Sequence, residues 1–72
     1  MSTPAFAYQG KQPRYGRNVV RIGLPEGFDR SAPDQVKALL EFAKSAAHED
    51  NYFGNHMDIY TNGIADVHFY ID

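Results

Sequence analysis

Two short motifs hold the residues with the most chemical reach, His56-x-Asp58 and Asp66-x-His68. A spacing of two puts both side chains of each motif on one face of an extended strand. If the two segments run antiparallel with Tyr60 level with Ile64, Asp58 faces Asp66 and His56 faces His68. Side chains opposed in this way have Cβ atoms roughly 4.5–5.5 Å apart. Two imidazoles and two carboxylates at that range can hold zinc, manganese or iron. They can also set a carboxylate beside a histidine that works as a general base. The plainer reading is a solvated strand face, because a sheet covered on one side needs polar residues at alternate positions anyway. That reading is adopted here: no metal, cofactor or catalytic residue is assigned, and His56, Asp58, Asp66 and His68 stay the metal candidates. Asp58 and Asp66 repel one another across the ladder, so they call for a cation. A protonated His56 or His68, an arginine of the same chain or a partner's cation would each serve.

The second set is basic. Residues 1–21 contain Lys11, Arg14, Arg17 and Arg21 and no acid, a local charge of +4. Residues 22–72 set three bases against all nine acids, a balance of −6 that outweighs the arm and gives the chain its net charge of −2. Tyr8 and Tyr15 stand among the arm's cations, a mixture suited to phosphate contact and base stacking through Lys11, Arg14, Arg17 and Tyr15. The competing reading is internal: the arginines pair with Asp58, Asp66 or the acids of the helix. The acidic remainder also cancels any long-range pull on a polyanion.

The third set is aromatic. With one face of the hairpin buried, Tyr60, Ile64 and Tyr70 point outward beside Asp58 and Asp66. Tyrosine is enriched where an interface buries a ring and keeps its hydroxyl wet. An acidic, tyrosine-bearing face suits a protein partner with a basic groove. The N-terminal segment, or a second copy of the chain, is the other candidate cover, and unpaired sheet edges favour a homodimer.

The remaining signals carry no chemistry. Gly10-x5-Gly16 lacks the Gly-Lys-Ser/Thr ending of a phosphate loop. Ser31 reads as a helix cap and not as a nucleophile, and His48 as an exposed residue at a helix end, where a cation suits the dipole. The Lys/Arg-Gly-Phe/Tyr motif of the RNA-recognition fold and the Gly-x-x-Gly loop of the KH module are both absent.

The elements that must position these residues are readable from their periods. Ala5–Gln9 reads as a short edge strand, followed by a turn over Gly10-Lys11-Gln12-Pro13. Arg17–Leu24 alternates as a half-buried strand, with Val20, Ile22 and Leu24 on one face and Val19 and Arg21 on the other. Pro25-Glu26-Gly27 stops it. A helix follows, with Ser31 as N-cap, Asp34 in the capping-box position and Pro33 in the first turn. Val36, Leu39, Leu40, Ala43 and Ala47 form its apolar stripe, Phe42 and Ala46 flank it, and Glu49-Asp50-Asn51 ends it before Gly54.

The last segment is a hairpin around Asn62-Gly63, for which two registers compete. A two-residue turn puts Ile59 level with Asp66 and mixes apolar and polar residues on both faces. A three-residue loop of Thr61, Asn62 and Gly63, with Gly63 in the left-handed bulge position, sets Ile59 against Ala65 and Met57 against Val67. A one-residue slip turns every side chain of a strand over, so the apolar side selects the bulged loop.

The sum is one α+β domain of β(β)αββ form: one helix on a mainly antiparallel sheet of three to four strands, with the last strand between its hairpin partner and the Val20 strand. Residues 1–16 read as a basic arm or edge strand, and 17–72 as the domain. With 72 residues there is room for one small core, and 43% hydrophobic residues is enough to form it. No cysteine is present, which excludes disulfides, Cys-ligated zinc and thiol catalysis. No apolar run nears the roughly 18 residues of a membrane span. The N-terminus lacks the basic-then-apolar pattern of a signal peptide, so a soluble cytoplasmic protein is expected. The expected function is that of a small non-enzymatic protein that docks on a macromolecular partner, most readily a protein. By class-level analogy it is an inhibitor of the kind phages and mobile elements encode, anti-CRISPR proteins among them. A nucleic-acid module using the basic arm is the alternative, and a metal-dependent enzyme on the His/Asp face the second.

Overall fold

A computed structural model describes residues 5–71. The chain forms β1 (Ala7–Arg14), β2 (Arg17–Gly23), α1 (Pro33–Ala47), β3 (Gly54–Ile59) and β4 (Ile64–Tyr70). The four strands make one antiparallel sheet in the order β1-β2-β4-β3. The last strand therefore lies between β2 and β3, as the hydrophobic pattern requires. Because β2 and β3 are each antiparallel to β4, the helix connects two parallel strands that have a third between them.

Alternation and helical period meet in one core. Val20 and Ile22 from β2, with Ala65, Val67 and Phe69 from β4, are buried under Leu39, Ala43 and Ala47 of α1. The central strands thus supply the sheet side, and residues three to four apart supply the helix side. Small side chains at Ala43 and Ala47 let the helix sit close to the sheet. At one end Phe6 closes the core, with its ring 5.4 Å from Phe42 and 6.0 Å from Phe28. At the other, Tyr52 meets Phe69 edge-on at 4.8 Å.

The hairpin adopts the bulged register. Ile59 pairs with Ala65, Met57 with Val67, Asp58 with Asp66 and His56 with His68. The Tyr60 N–H donates to the Ile64 carbonyl at 2.9 Å, and Gly63 takes φ of 85°. That left-handed geometry is open to glycine without steric cost, and the ladder depends on it.

Two local expectations are corrected. The segment Gly10–Pro13 is no turn: β1 runs straight through it to Arg14, and the reversal comes at Tyr15-Gly16. A shift of register between Tyr8 and Gly10 marks a bulge, with Gly10 at φ 126°. Pro13 is tolerated because β1 is an edge strand, where a missing N–H breaks no central ladder. Residues 7–14 thereby belong to the sheet. The helix cap is Ala32 and not Ser31, and it makes no side-chain cap bond. Pro33 at the first helical position forces the residue before it into extended backbone, and Ala32 sits at φ −91°, ψ 113°. Ser31 instead donates its hydroxyl to Asp29 at 2.6 Å, and the same carboxylate oxygen accepts the Ser31 N–H. Those bonds hold the Asp29 carboxyl below its ordinary range. The helix ends at Ala47, just before the Glu49–Asn51 segment, with exposed His48 in left-handed backbone as the C-cap, as the sequence suggests.

Candidate docking face

The helix covers one face of the sheet and leaves the other open. On the open face the alternation of β2 and β4 places Arg17, Val19 and Arg21 beside Ile64, Asp66, His68 and Tyr70. β3 adds His56 and Asp58, and β1 adds Gln12 and Arg14. A shallow groove of about 580 Å³ runs across this face, lined by Arg14, Arg17 and Arg21 on one side and by Asp58, Tyr60, Asp66 and His68 on the other.

The carboxylates of the face are already engaged. Arg21 lies level with Asp66 across the β2–β4 ladder and donates to it through two nitrogens, Nε to Oδ1 at 2.9 Å and Nη2 to Oδ2 at 3.1 Å. The Tyr60 hydroxyl adds a third bond to Oδ2 at 3.2 Å. Asp66 is only 6% exposed, and a buried carboxylate is tolerated when it is paired and hydrogen-bonded. The hydrogen bonds and charge of Arg21 outweigh burial and hold the Asp66 carboxyl below the ordinary range, while the guanidinium is raised in turn. Burial, then the neighbouring Asp66 charge, pushes the Tyr60 phenol up.

Asp58 is held between two histidines. Its Oδ1 lies 2.9 Å from His56 Nε2, and its Oδ2 lies 3.0 Å from His68 Nε2. An ionised carboxylate only accepts, so each ring carries its proton on Nε2. The two rings stand 5.5 Å apart, tilted by 51°. Each pair resembles the orienting half of a general base. Among the described residues neither imidazole hydrogen-bonds a hydroxyl or an amine. Nor, among the described residues, does any group of three or more His, Asp or Glu side chains form a metal-binding arrangement.

The basic set divides. Lys11 pairs with Val20 in the ladder, which puts it on the helix side. There its ammonium donates to Glu49 at 3.0 Å and to the Ala47 carbonyl at 3.1 Å, joined by the Asn18 amide on the same Glu49 oxygen at 2.9 Å. Lys11 thus closes the C-terminal end of α1, where a cation suits the exposed carbonyls. Arg14 and Arg17 remain on the open face, directly opposed across the β1–β2 ladder. Arg14 is bonded only to the neutral Gln12 side chain, at 3.2 Å. Among the described residues Arg17 has no ion pair, and its buried Nε has no acceptor. Between them in sequence stands Tyr15, fully exposed at 104%.

The structure therefore brings Tyr60, Asp58 and Asp66 together, with the two histidines. It sets Ile64 at the hairpin end opposite Gly23, and half-buries Tyr70 against Phe53 at 6.3 Å. Phe53, 75% exposed, was not singled out by sequence; it lies in the irregular link before β3, where no period flags it. Nor was the buried Glu49, an acid past the helix end whose partners lie more than 30 residues away. The face is not acidic, as the tyrosine–carboxylate pattern had implied. Asp66 is paired with Arg21, Asp58 is hydrogen-bonded by two histidines, and Arg14 and Arg17 have no acidic partner among the described residues. No helix among the described residues is long and apolar enough to cross a membrane. Comparison with protein-family models, with curated proteins and with solved structures gives no match.

Proposed function

We propose that the protein is a non-enzymatic binding module that docks an anionic macromolecular partner on its open sheet face. The observation that carries this reading is the charge layout of that face: Asp66 is paired with Arg21 and Asp58 is hydrogen-bonded by His56 and His68, while Arg14 and Arg17 meet no acid among the described residues. Like charges directly opposed across a ladder destabilise it, so an opposed arginine pair gains from an anion brought by a partner. The polarity is the reverse of the one the acidic composition suggests. By class-level analogy a protein of this kind acts as an inhibitor, by covering its partner's surface.

The test is backbone amide shift mapping of the full chain with two anionic probes, oligothymidylate and polyglutamate. At least one should move the signals of Arg14, Arg17, Val19, Arg21 and His68 and leave α1 unmoved. Shifts confined to α1, or no shift with either probe, would remove the open face as the docking surface.

A further inference from the structure

Resting on that reading, we propose that the partner is single-stranded nucleic acid, held at the tip of the β1–β2 hairpin by Arg14, Tyr15 and Arg17. Arg14 and Arg17 are the last ladder pair before the turn, and both line the groove. Tyr15 and Gly16 form that turn, Gly16 at φ 77°, and the Tyr15 ring has no cover from the rest of the fold.

Three observations converge on the ligand's chemistry. First, two guanidinium groups on opposed strands form a clamp for one or two phosphates, and planar forks with several donors suit phosphate oxygens. Second, the Arg17 Nε is buried and has no acceptor among the described residues, which leaves it out of reach of a ligand. With Nε covered, the terminal nitrogens are what Arg17 offers to the groove. Third, the Tyr15 ring, between the two arginines in sequence, is fully exposed and has no apolar rim around it. A protein hot spot is surrounded by contacts that exclude water, whereas base stacking on an exposed ring needs only a free π-face beside a phosphate contact.

The same features select a single strand over a duplex. The tyrosine can stack only on a base whose face is free, and duplex bases hide their faces. The contact is also bounded. Beyond Arg17 the next cation on β2 is Arg21, already held by Asp66, and past it the groove turns to Asp58 and Asp66. A phosphodiester chain is therefore gripped at the tip, and past Arg21 the groove offers it no free lysine or arginine among the described residues. Lys11 borders the groove, but its ammonium is held on the helix side by Glu49 and the Ala47 carbonyl. The module reads no sequence by this geometry, since stacking tolerates every base.

The experiment is fluorescence anisotropy of a labelled oligothymidylate of about 12 nucleotides with the full chain, over a range of salt concentrations. Two phosphate contacts predict a slope of log K against log salt near −1.4, at roughly −0.7 per contact on a single strand. The double variant Arg14→Ala/Arg17→Ala should lose that slope. Tyr15→Ala should weaken binding about 5- to 150-fold, the range of one lost base stack, and Tyr15→Phe, which keeps the ring, should restore it. Unchanged affinity in both Tyr15→Ala and the arginine double variant would overturn the tip as the contact while leaving a docking face elsewhere on the sheet. Polyglutamate bound on the open face with no oligothymidylate binding would overturn the nucleic-acid assignment and keep the docking reading. Binding of neither probe would overturn both. Circular dichroism of each variant separates lost contact from lost fold.

Discussion

Asp66 carries more of the open face than any other side chain. It is buried, yet it accepts from Arg21 twice and from Tyr60 once. The consequence for stability has a definite sign. With its native carboxyl held below the ordinary value near 3.9, Asp66 is ionised in both folded and unfolded chains at neutral pH, and its pairing contributes fully there. As pH falls below about 4, the unfolded chain takes up its proton first. More protons on the unfolded state mean that stability falls with falling pH. The loss is complete only once pH passes below the native value. Thermal unfolding of the wild type should therefore drop steeply on the acid side, and Asp66→Asn should flatten that drop. Asp29, also held low by Ser31, leaves a residual slope in the variant. Melting midpoints followed by circular dichroism from about pH 3 to pH 7 decide the matter. Equal acid slopes in wild type and variant would show that the Arg21 pair contributes nothing.

At the scale of elements, what was legible in the sequence is what short-range periodicity encodes. The stripe through Leu39, Ala43 and Ala47 and the alternation through Val20 and Ile22 name their own buried faces. The β3–β4 register was legible because the two candidate alignments differ in whether Ile59 and Met57 meet apolar residues, and that pairing brought the His/Asp juxtaposition with it. The extent of β1 was not legible. Gly10 and Pro13 are turn residues by composition, and only an edge position with a bulge makes them strand residues. Arg21 and Asp66 are 45 residues apart, so their pairing waits on the β2–β4 alignment. The Lys11–Glu49 contact depends in addition on the bulge, which decides the face Lys11 occupies. That contact fastens β1 to the end of α1. Glu49→Ala would leave the Lys11 ammonium and the Asn18 amide without their acceptor at a buried junction. It should cost about 1–3 kcal/mol in urea unfolding, with faster amide exchange along β1. Glu49→Gln, which keeps an acceptor for Asn18, should cost less. Wild-type stability in Glu49→Ala would mean that β1 is held by its ladder alone.

At the scale of the whole molecule, the sheet divides two tasks between its faces. One face builds the only core a chain of this length can make, centred on Phe69 and Val67 under Leu39. The other carries charge and an exposed ring. Typical stabilities of roughly 0.05–0.15 kcal/mol per residue give a domain of this size about 4–11 kcal/mol in total. Phe69→Ala removes the largest fully buried side chain, and such truncations cost about 3–5 kcal/mol, which is most of the lower end of that range. Loss of cooperative unfolding, or a midpoint lowered by many degrees, is the expected outcome. Arg14→Ala and Tyr15→Ala remove exposed groups that pack against no part of the core, and surface changes of that kind stay within about ±0.5 kcal/mol. Urea unfolding of the three variants side by side is the check. If Tyr15→Ala destabilised the fold as strongly as Phe69→Ala does, the two faces would not be separable, and the tip would be part of what holds the molecule together. If Tyr15→Ala and Arg14→Ala unfold with the wild type, the open face is free to vary without the core, as a surface given over to binding must be.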